Sequence, residues 1–215
     1  MDFSKIERKV ASIVKAAGKI MERGAGTITE KNGSLLIFDE IVTGFRIAIG
    51  GVQEYFGVTP DLAVFAKGIA NGMPLSTYLG KREIMHCADR GQGVSISSTY
   101  GGETLSLAAC KAAIKTYREQ DVVGHIRTHG DYLWSKVDEL FRKYDYPMTM
   151  KGMPACKAFR PTADAKGHEP DAFFRACFAN GVSLYNVSYV NFSHQYADLD
   201  ETLVRMEKAL QSIRG

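Results

Sequence analysis

Apolar positions along this chain fall into helical stripes and short, wholly apolar runs. Ile6, Val10, Ile13, Val14, Ala17 and Met21 recur at helical intervals behind Ser4-Lys5-Ile6-Glu7, whose spacing is that of a capping box; the pattern predicts an amphipathic helix closed by Gly24 and Gly26. Residues 27–34 are polar and are expected to form a loop. Leu35–Phe38 is then a short apolar run that stops at Asp39-Glu40, as a buried parallel strand does when it delivers polar groups at its C-terminal end. After a glycine-punctuated stretch from Gly44 to Gly57, read as loop with short helical turns, Leu62–Phe65 repeats the pattern and ends at Ala66-Lys67-Gly68. Ser76–Leu79 reads as a third strand and Lys81–Asp89 as a short helix.

Longer periodic segments follow. Glu103 to about Glu119 is expected to be a helix with Leu105, Ala108, Ala109, Ala112, Ala113 and Ile114 inward, and Gly130 to Tyr144 a second one burying Leu133, Trp134, Val137, Leu140 and Phe141. Asp145 to Gly167 looks irregular apart from a strand near Cys156–Phe159. Pro170 suits the first turn of a helix that Asn180-Gly181 stops, Val182–Val190 alternates as a strand, and Asp198-x-x-Glu201 caps a last helix.

Composition narrows the function classes. The chain has 215 residues, 45% hydrophobic and 24% charged, enough for one large domain or two small ones. Its net charge of +3 comes from 27 basic and 24 acidic residues spread along the length, with no like-charged run to track a phosphate backbone, so nucleic acid is not an expected partner. Cys87, Cys110, Cys156 and Cys177 lie far apart with no Cys-x-x-Cys pair, which argues against a zinc site or a disulfide framework and for a reducing cytoplasm. No segment approaches the ~20 apolar residues of a membrane span.

The chemistry concentrates in Phe38-Asp39-Glu40-Ile41-Val42-Thr43-Gly44-Phe45-Arg46 and Pro60-Asp61-Leu62-Ala63-Val64-Phe65-Ala66-Lys67-Gly68. An Asp-Glu strand end, a Thr-Gly-Phe-Arg turn, a Pro-Asp and a Lys-Gly in this order resemble the class III aminotransferases, and most closely their glutamate-1-semialdehyde aminomutase-like branch, from about Leu35 to the C-terminus. The resemblance implies an α/β protein: an incomplete fold-type-I transferase large domain over residues 35–125, then a connecting helix and a small α+β domain over 126–215. It implies pyridoxal 5′-phosphate as cofactor and no metal. Lys67 would hold it as a Schiff base and move the proton, Asp39 would sit against the pyridine nitrogen, and Ile41 would pack on the ring face from the same side of an extended chain. A usable amine must be neutral, which burial and a nearby cationic ring both favour. Thr99, in Ser98-Thr99-Tyr100-Gly101-Gly102-Glu103, is assigned to the phosphate, across a dimer interface and before a helix start. Taken singly, each has a plainer reading: a solvated lysine, a capping acid, an ordinary core isoleucine, a threonine in a turn.

Other positions stay open at this level. Arg46 and Arg160 are candidates to grip a substrate carboxylate or to form surface ion pairs, and His194 reads as structural. Many relatives carry Gly-Asn-Pro where this chain has Gly102-Glu103-Thr104. The family's phosphate-wrapping Ser-Gly-x-Glu loop and ring-stacking aromatic, which lie upstream of the Asp-Glu strand, are not found, and residues 1–34 resemble instead the opening of an inositol monophosphatase, without that family's metal signature. The expected function is amino-group transfer, of aminotransferase or 2,1-aminomutase type, on a small amino acid, semialdehyde or amino-sugar-like substrate by a cytoplasmic homodimer. The alternative is a non-catalytic remnant acting through dimerisation.

Overall fold

A computed structural model describes residues 13–15, 24–89 and 97–214. The chain divides into two compact units, residues 1–121 and 122–215. The first is built on a four-stranded sheet in the order β1 (Ile13–Lys15), β2 (Ile37–Asp39), β3 (Leu62–Phe65), β4 (Thr77–Gly80). The first three strands run parallel, with Val14 opposite Phe38 and Phe38 opposite Ala63, and β4 closes antiparallel. Helix α1 (Ala25–Lys31) lies between β1 and β2, and α2 (Val52–Phe56) between β2 and β3. Asp61 ties the strand starts together: its carboxylate accepts from the Leu36 amide and pairs with Lys81, each at 2.7 Å. Burial acts upward on the Asp61 pKa but is outweighed by these two donors, so the carboxyl sits below its ordinary value.

Two expectations about the N-terminal segment are corrected. Residues 13–15, assigned to a helix, form a strand in register with β2, because β-branched Ile13 and Val14 extend the parallel sheet; the remainder of that helix falls outside the described residues. Residues 27–34, assigned to a loop, contain most of α1, a surface helix with Ile28 56% exposed and hence no apolar stripe to betray it. Strand β1 thus belongs to the first unit's sheet.

Helix α3 (Arg82–Asp89) follows β4, and α4 (Thr104–Glu119) ends the first unit. The expected inward face of α4 is corrected in part: Ala109, Ala113 and Ile114 are half-buried. Leu105 is 62% and Leu107 49% exposed, and Ala108 and Ala112 face outward with them; Ser106 is buried instead. What holds α4 is Tyr117, whose hydroxyl donates to the Phe45 carbonyl at 2.6 Å and whose ring meets Phe45 edge to face. Burial pushes the Tyr117 phenol up, and the Arg46 guanidinium partly offsets this.

In the second unit α5 (Val122–Lys143) begins eight residues before the expected Gly130, which sits inside the helix with the Pro154 carbonyl so close that a Cβ would lie 2.3 Å from it. The antiparallel sheet β5 (Met148–Met153), β6 (Cys156–Pro161), β7 (Val187–Ser188) follows, with α6 (Glu169–Ala179) and α7 (Tyr196–Arg214). Strand β5 falls where irregular chain was expected, although Met148 and Met150 alternate inward. The strand expected over Val182–Val190 shrinks to the two residues of β7. Helix α7 opens before the expected cap: Asp198, in its first turn, reaches back to the Gln195 amide at 2.8 Å. The core gathers Trp134, Phe141, Phe159, Phe173, Val190, Met206 and Leu210.

Cys177 lies wholly inside this core, and burial pushes its thiol up to about 12. Because the thiolate is the nucleophile, its fraction at pH 8 is on the order of one in ten thousand. Peptide mass spectrometry of the native chain treated with iodoacetamide should show Cys177 alkylated last of the four cysteines, and only under denaturant. Prompt native labelling of Cys177 would contradict the packing.

Candidate cofactor site

Two parallel strands that end side by side set the site. Asp39, the last residue of β2, is opposite Val64 of β3, and the Glu40 amide extends the pairing by donating to the Val64 carbonyl at 2.9 Å. Three residues beyond Val64 comes Lys67, which opens a 3-10 turn over Lys67–Ile69. Asp39 and Lys67 are therefore delivered to the same end of the sheet by neighbouring strands. The Lys67 carbonyl accepts from Ala70 and Asn71.

Backbone strain gathers here. Phe45, Lys67 and Asn71 have φ of 62°, 50° and 46°, and these are three of the four non-glycine residues in the left-handed region among those described. Phe45 meets Phe65 edge to face at 6.1 Å, and a Cβ on Gly68 would lie 3.0 Å from the Phe45 Cβ, so the turn after β2 lies directly against the residue following Lys67.

One Asp39 oxygen accepts from the Ile41 amide at 3.1 Å. The chain turns at Ile41 rather than running on extended, so the argument that put Ile41 on the same side of a strand as Asp39 does not hold; Ile41 is half-buried in a turn folded back on the Asp39 carboxylate. Thr99 is exposed, in the turn before α4. The start of α4 is occupied by the chain's own anion: Glu103 is its N-cap and accepts from the amides of Leu105 and Ser106, each at 2.7 Å, and from the Ser106 hydroxyl at 2.6 Å. The Ser106 hydroxyl and these amides hold the Glu103 carboxyl below its ordinary value. Arg160, exposed in the second unit, donates to Asn186, and the His194 carbonyl accepts from the His125 ring.

Sequence reasoning missed Glu40. It is fully buried, accepting from the Thr43 hydroxyl and from the amides of Val52 and Gln53 at 2.9 Å each. Its signal was the second acid of the Asp-Glu pair, followed by a threonine and a double glycine.

The chain that carries these two strand ends matches a known family. The family model described as aminotransferase class III covers residues 14–211, and the chain belongs to that family. The match begins upstream of Leu35 and takes in α1 and all but the first residue of β1. Among curated relatives, a protein named glutamate-1-semialdehyde 2,1-aminomutase 2 from Lachnoclostridium phytofermentans is 34% identical over 205 residues, covering 87% of this chain and 48% of the relative. The chain spans about half the length of the curated relatives it matches. Solved structures agree on the fold: an omega-transaminase from Sphaerobacter thermophilus has a TM-score of 0.78 at 24% identity over 93% of this chain and 49% of its own. A β-phenylalanine aminotransferase from Variovorax paradoxus has a TM-score of 0.81 at 17% identity, over 97% of this chain and 54% of its own. The architecture is thus fold-type-I, α/β, in part.

Pyridoxal phosphate is the cofactor of this class, and one end of the site fits it. Among the described residues the Lys67 side chain, exposed rather than buried, makes no hydrogen bond or ion pair, and Asp39 keeps one carboxylate oxygen uncommitted. The phosphate end does not fit at the start of α4, where Glu103 already satisfies the first amides. No group of three metal-ligating side chains occurs among the described residues, and no described helix is long and apolar enough to cross a membrane.

Proposed function

We propose that this chain takes part in pyridoxal-phosphate-dependent amino-group transfer, with Lys67 holding the cofactor. The supporting observation is the delivery of Lys67 and Asp39 to one sheet end by adjacent parallel strands. The cofactor, when bound, supplies an electron sink for the carbon that carries the amino group. The chain's own residues do the rest. Lys67 would provide the amine that holds the cofactor's aldehyde carbon and then carry a proton, Asp39 would keep a proton on the ring nitrogen, Ile41 would pack on the ring face, and Thr99 would reach the phosphate of a second copy across a dimer interface. The substrate is a small amino acid, semialdehyde or amino-sugar-like molecule, handled in the cytoplasm, where four free cysteines stay reduced. The exposed Leu105 and Leu107 of α4, continued by Cys110 and Ile114, are suited to a second copy of the chain.

Mixing the purified chain with pyridoxal phosphate tests this reading. A yellow chromophore should form, borohydride should convert it into a permanent link on the peptide bearing Lys67, and Lys67→Ala should abolish it; sedimentation of the same preparation reads the dimer. A folded chain that stays colourless overturns the cofactor assignment.

A further inference from the structure

The geometry points to Glu40 as a positioning residue that sets the Lys67 turn from a distance. This inference rests on Lys67 being the cofactor-holding lysine, and names what holds that lysine in place. Glu40 is fully buried, yet every part of it is engaged. Its amide donates to Val64 of β3 and its carbonyl accepts from Gly44, each at 2.9 Å. One carboxylate oxygen takes the Thr43 hydroxyl and the Val52 amide, and the other takes the Gln53 amide. A single side chain therefore joins the end of β2 to both ends of the loop running from Thr43 to Val52.

That loop bears on the lysine. Thr43 accepts from the amides of Arg46 and Ile47 through its carbonyl, closing the tight turn that forces Phe45 into the left-handed region. The turn presents Phe45 to Phe65 and to Gly68, where a Cβ would come within 3.0 Å of the Phe45 Cβ and 3.3 Å of the Gly44 carbonyl. Phe65 and Gly68 lie on either side of Lys67. The path thus runs from the Glu40 carboxylate to the Thr43 hydroxyl, through the Gly44-Phe45 turn, and onto the strained 3-10 turn that Lys67 opens. Tyr117 braces the same turn from α4 by its bond to the Phe45 carbonyl. Buried carboxylates are costly to desolvate and are tolerated only when donors converge on them; three converge here from two segments of the loop.

A simple helix cap would do less. If Glu40 served only as the acceptor for the start of α2, its loss would loosen Val52 and Gln53 and stop there. As a positioning residue it also governs the Ile69, Ala70 and Asn71 amides, which bond to Ala66 and Lys67.

Amide hydrogen exchange of the full chain, read by mass spectrometry without cofactor, separates the two. Glu40→Gln keeps the shape but turns an NH2 group toward a donor, and should speed exchange of Ile69, Ala70 and Asn71 by roughly tenfold, as expected for one buried donor left unpaired. Peptides from α7 serve as the unaffected standard. Thr43→Val, which removes only the hydroxyl, should speed the same amides by about threefold, and Thr43→Ser should restore wild-type exchange. Faster exchange confined to residues 51–56 overturns the proposal. If Glu40→Gln does not fold, an unchanged Lys67–Asn71 turn in Thr43→Val overturns it equally. With pyridoxal phosphate added, Glu40→Gln should form the borohydride-stable link at Lys67 about tenfold more slowly while unit-two exchange stays constant. A wild-type chain that forms no chromophore would sink the cofactor reading, and the exchange pattern would still decide the role of Glu40.

Discussion

Phe173→Ala is expected to destabilise the second unit by about 3–5 kcal/mol, the range for removing a fully enclosed aromatic side chain and leaving its cavity. Phe173 has no exposed surface. Its ring centroid lies 5.1 Å from Phe141, 5.8 Å from Phe159 and 6.0 Å from Tyr146, so three elements, α5, β6 and the turn before β5, meet on it. The surrounding rings are anchored elsewhere: Tyr146 donates to the Glu169 carbonyl at 2.7 Å, which keeps it from sliding into the space. Against a typical domain stability of 5–15 kcal/mol, this loss moves the unfolding midpoint far toward low urea. The chain's one tryptophan, Trp134, is buried in the same core and donates to the Pro154 carbonyl, so its fluorescence follows this unit. A urea titration on that signal should show the lower midpoint with an unchanged slope. A loss under about 1 kcal/mol would mean that the neighbours collapse into the space, despite the hydrogen bond that holds Tyr146.

The elements legible in the sequence were those whose apolar pattern is also their burial pattern. β3 is Leu62–Phe65 as read, because a wholly apolar run bounded by Pro60-Asp61 and Lys67-Gly68 has few other uses. Helix α4 was read correctly in extent and only partly in orientation: Ala109, Ala113 and Ile114 are half-buried, but Leu105, Ala108 and Ala112 are exposed, because periodicity does not say what covers an apolar face. The first turns of α5 were missed because Gly130 and two histidines interrupt the stripe. The structure resolves this by stacking His125 on His129 at 3.7 Å and by using Gly130 for a close approach to Pro154. The placing of Asp39 and Lys67 at one end of the sheet was legible because each closes or follows a short apolar strand. Glu40 was not: an acid after a strand looks the same in sequence whether it faces water or accepts three buried hydrogen bonds, and only the fold of the Thr43–Val52 loop decides between these.

Gly51→Ala should carry the largest cost in the first unit, roughly 3 kcal/mol, from backbone strain and from displacement of a buried acceptor acting together. Gly51 has φ of 78° and ψ of −152°, a conformation closed to residues with a Cβ. A Cβ there would stand 2.2 Å from one Glu40 carboxylate oxygen and 2.5 Å from its carboxyl carbon. The carboxylate has nowhere to retreat without giving up the Val52 and Gln53 amides that it accepts from. Gly57 supplies a contrast: its φ of 66° and ψ of 30° lie in the left-handed region that other residues can enter, and nothing lies within 4 Å of its would-be Cβ. Gly57→Ala should therefore show only the backbone part, about 1 kcal/mol. Thermal unfolding by circular dichroism, with hydrogen exchange on residues 36–65, measures both variants, while the Trp134 urea midpoint should stay put in each. Equal effects of the two substitutions would show that neither the more restricted backbone of Gly51 nor the pressure on Glu40 adds to the cost. A larger effect at Gly51, accompanied by faster exchange at Ile69–Asn71, would mean that steric pressure on one buried carboxylate is felt at the turn that carries Lys67.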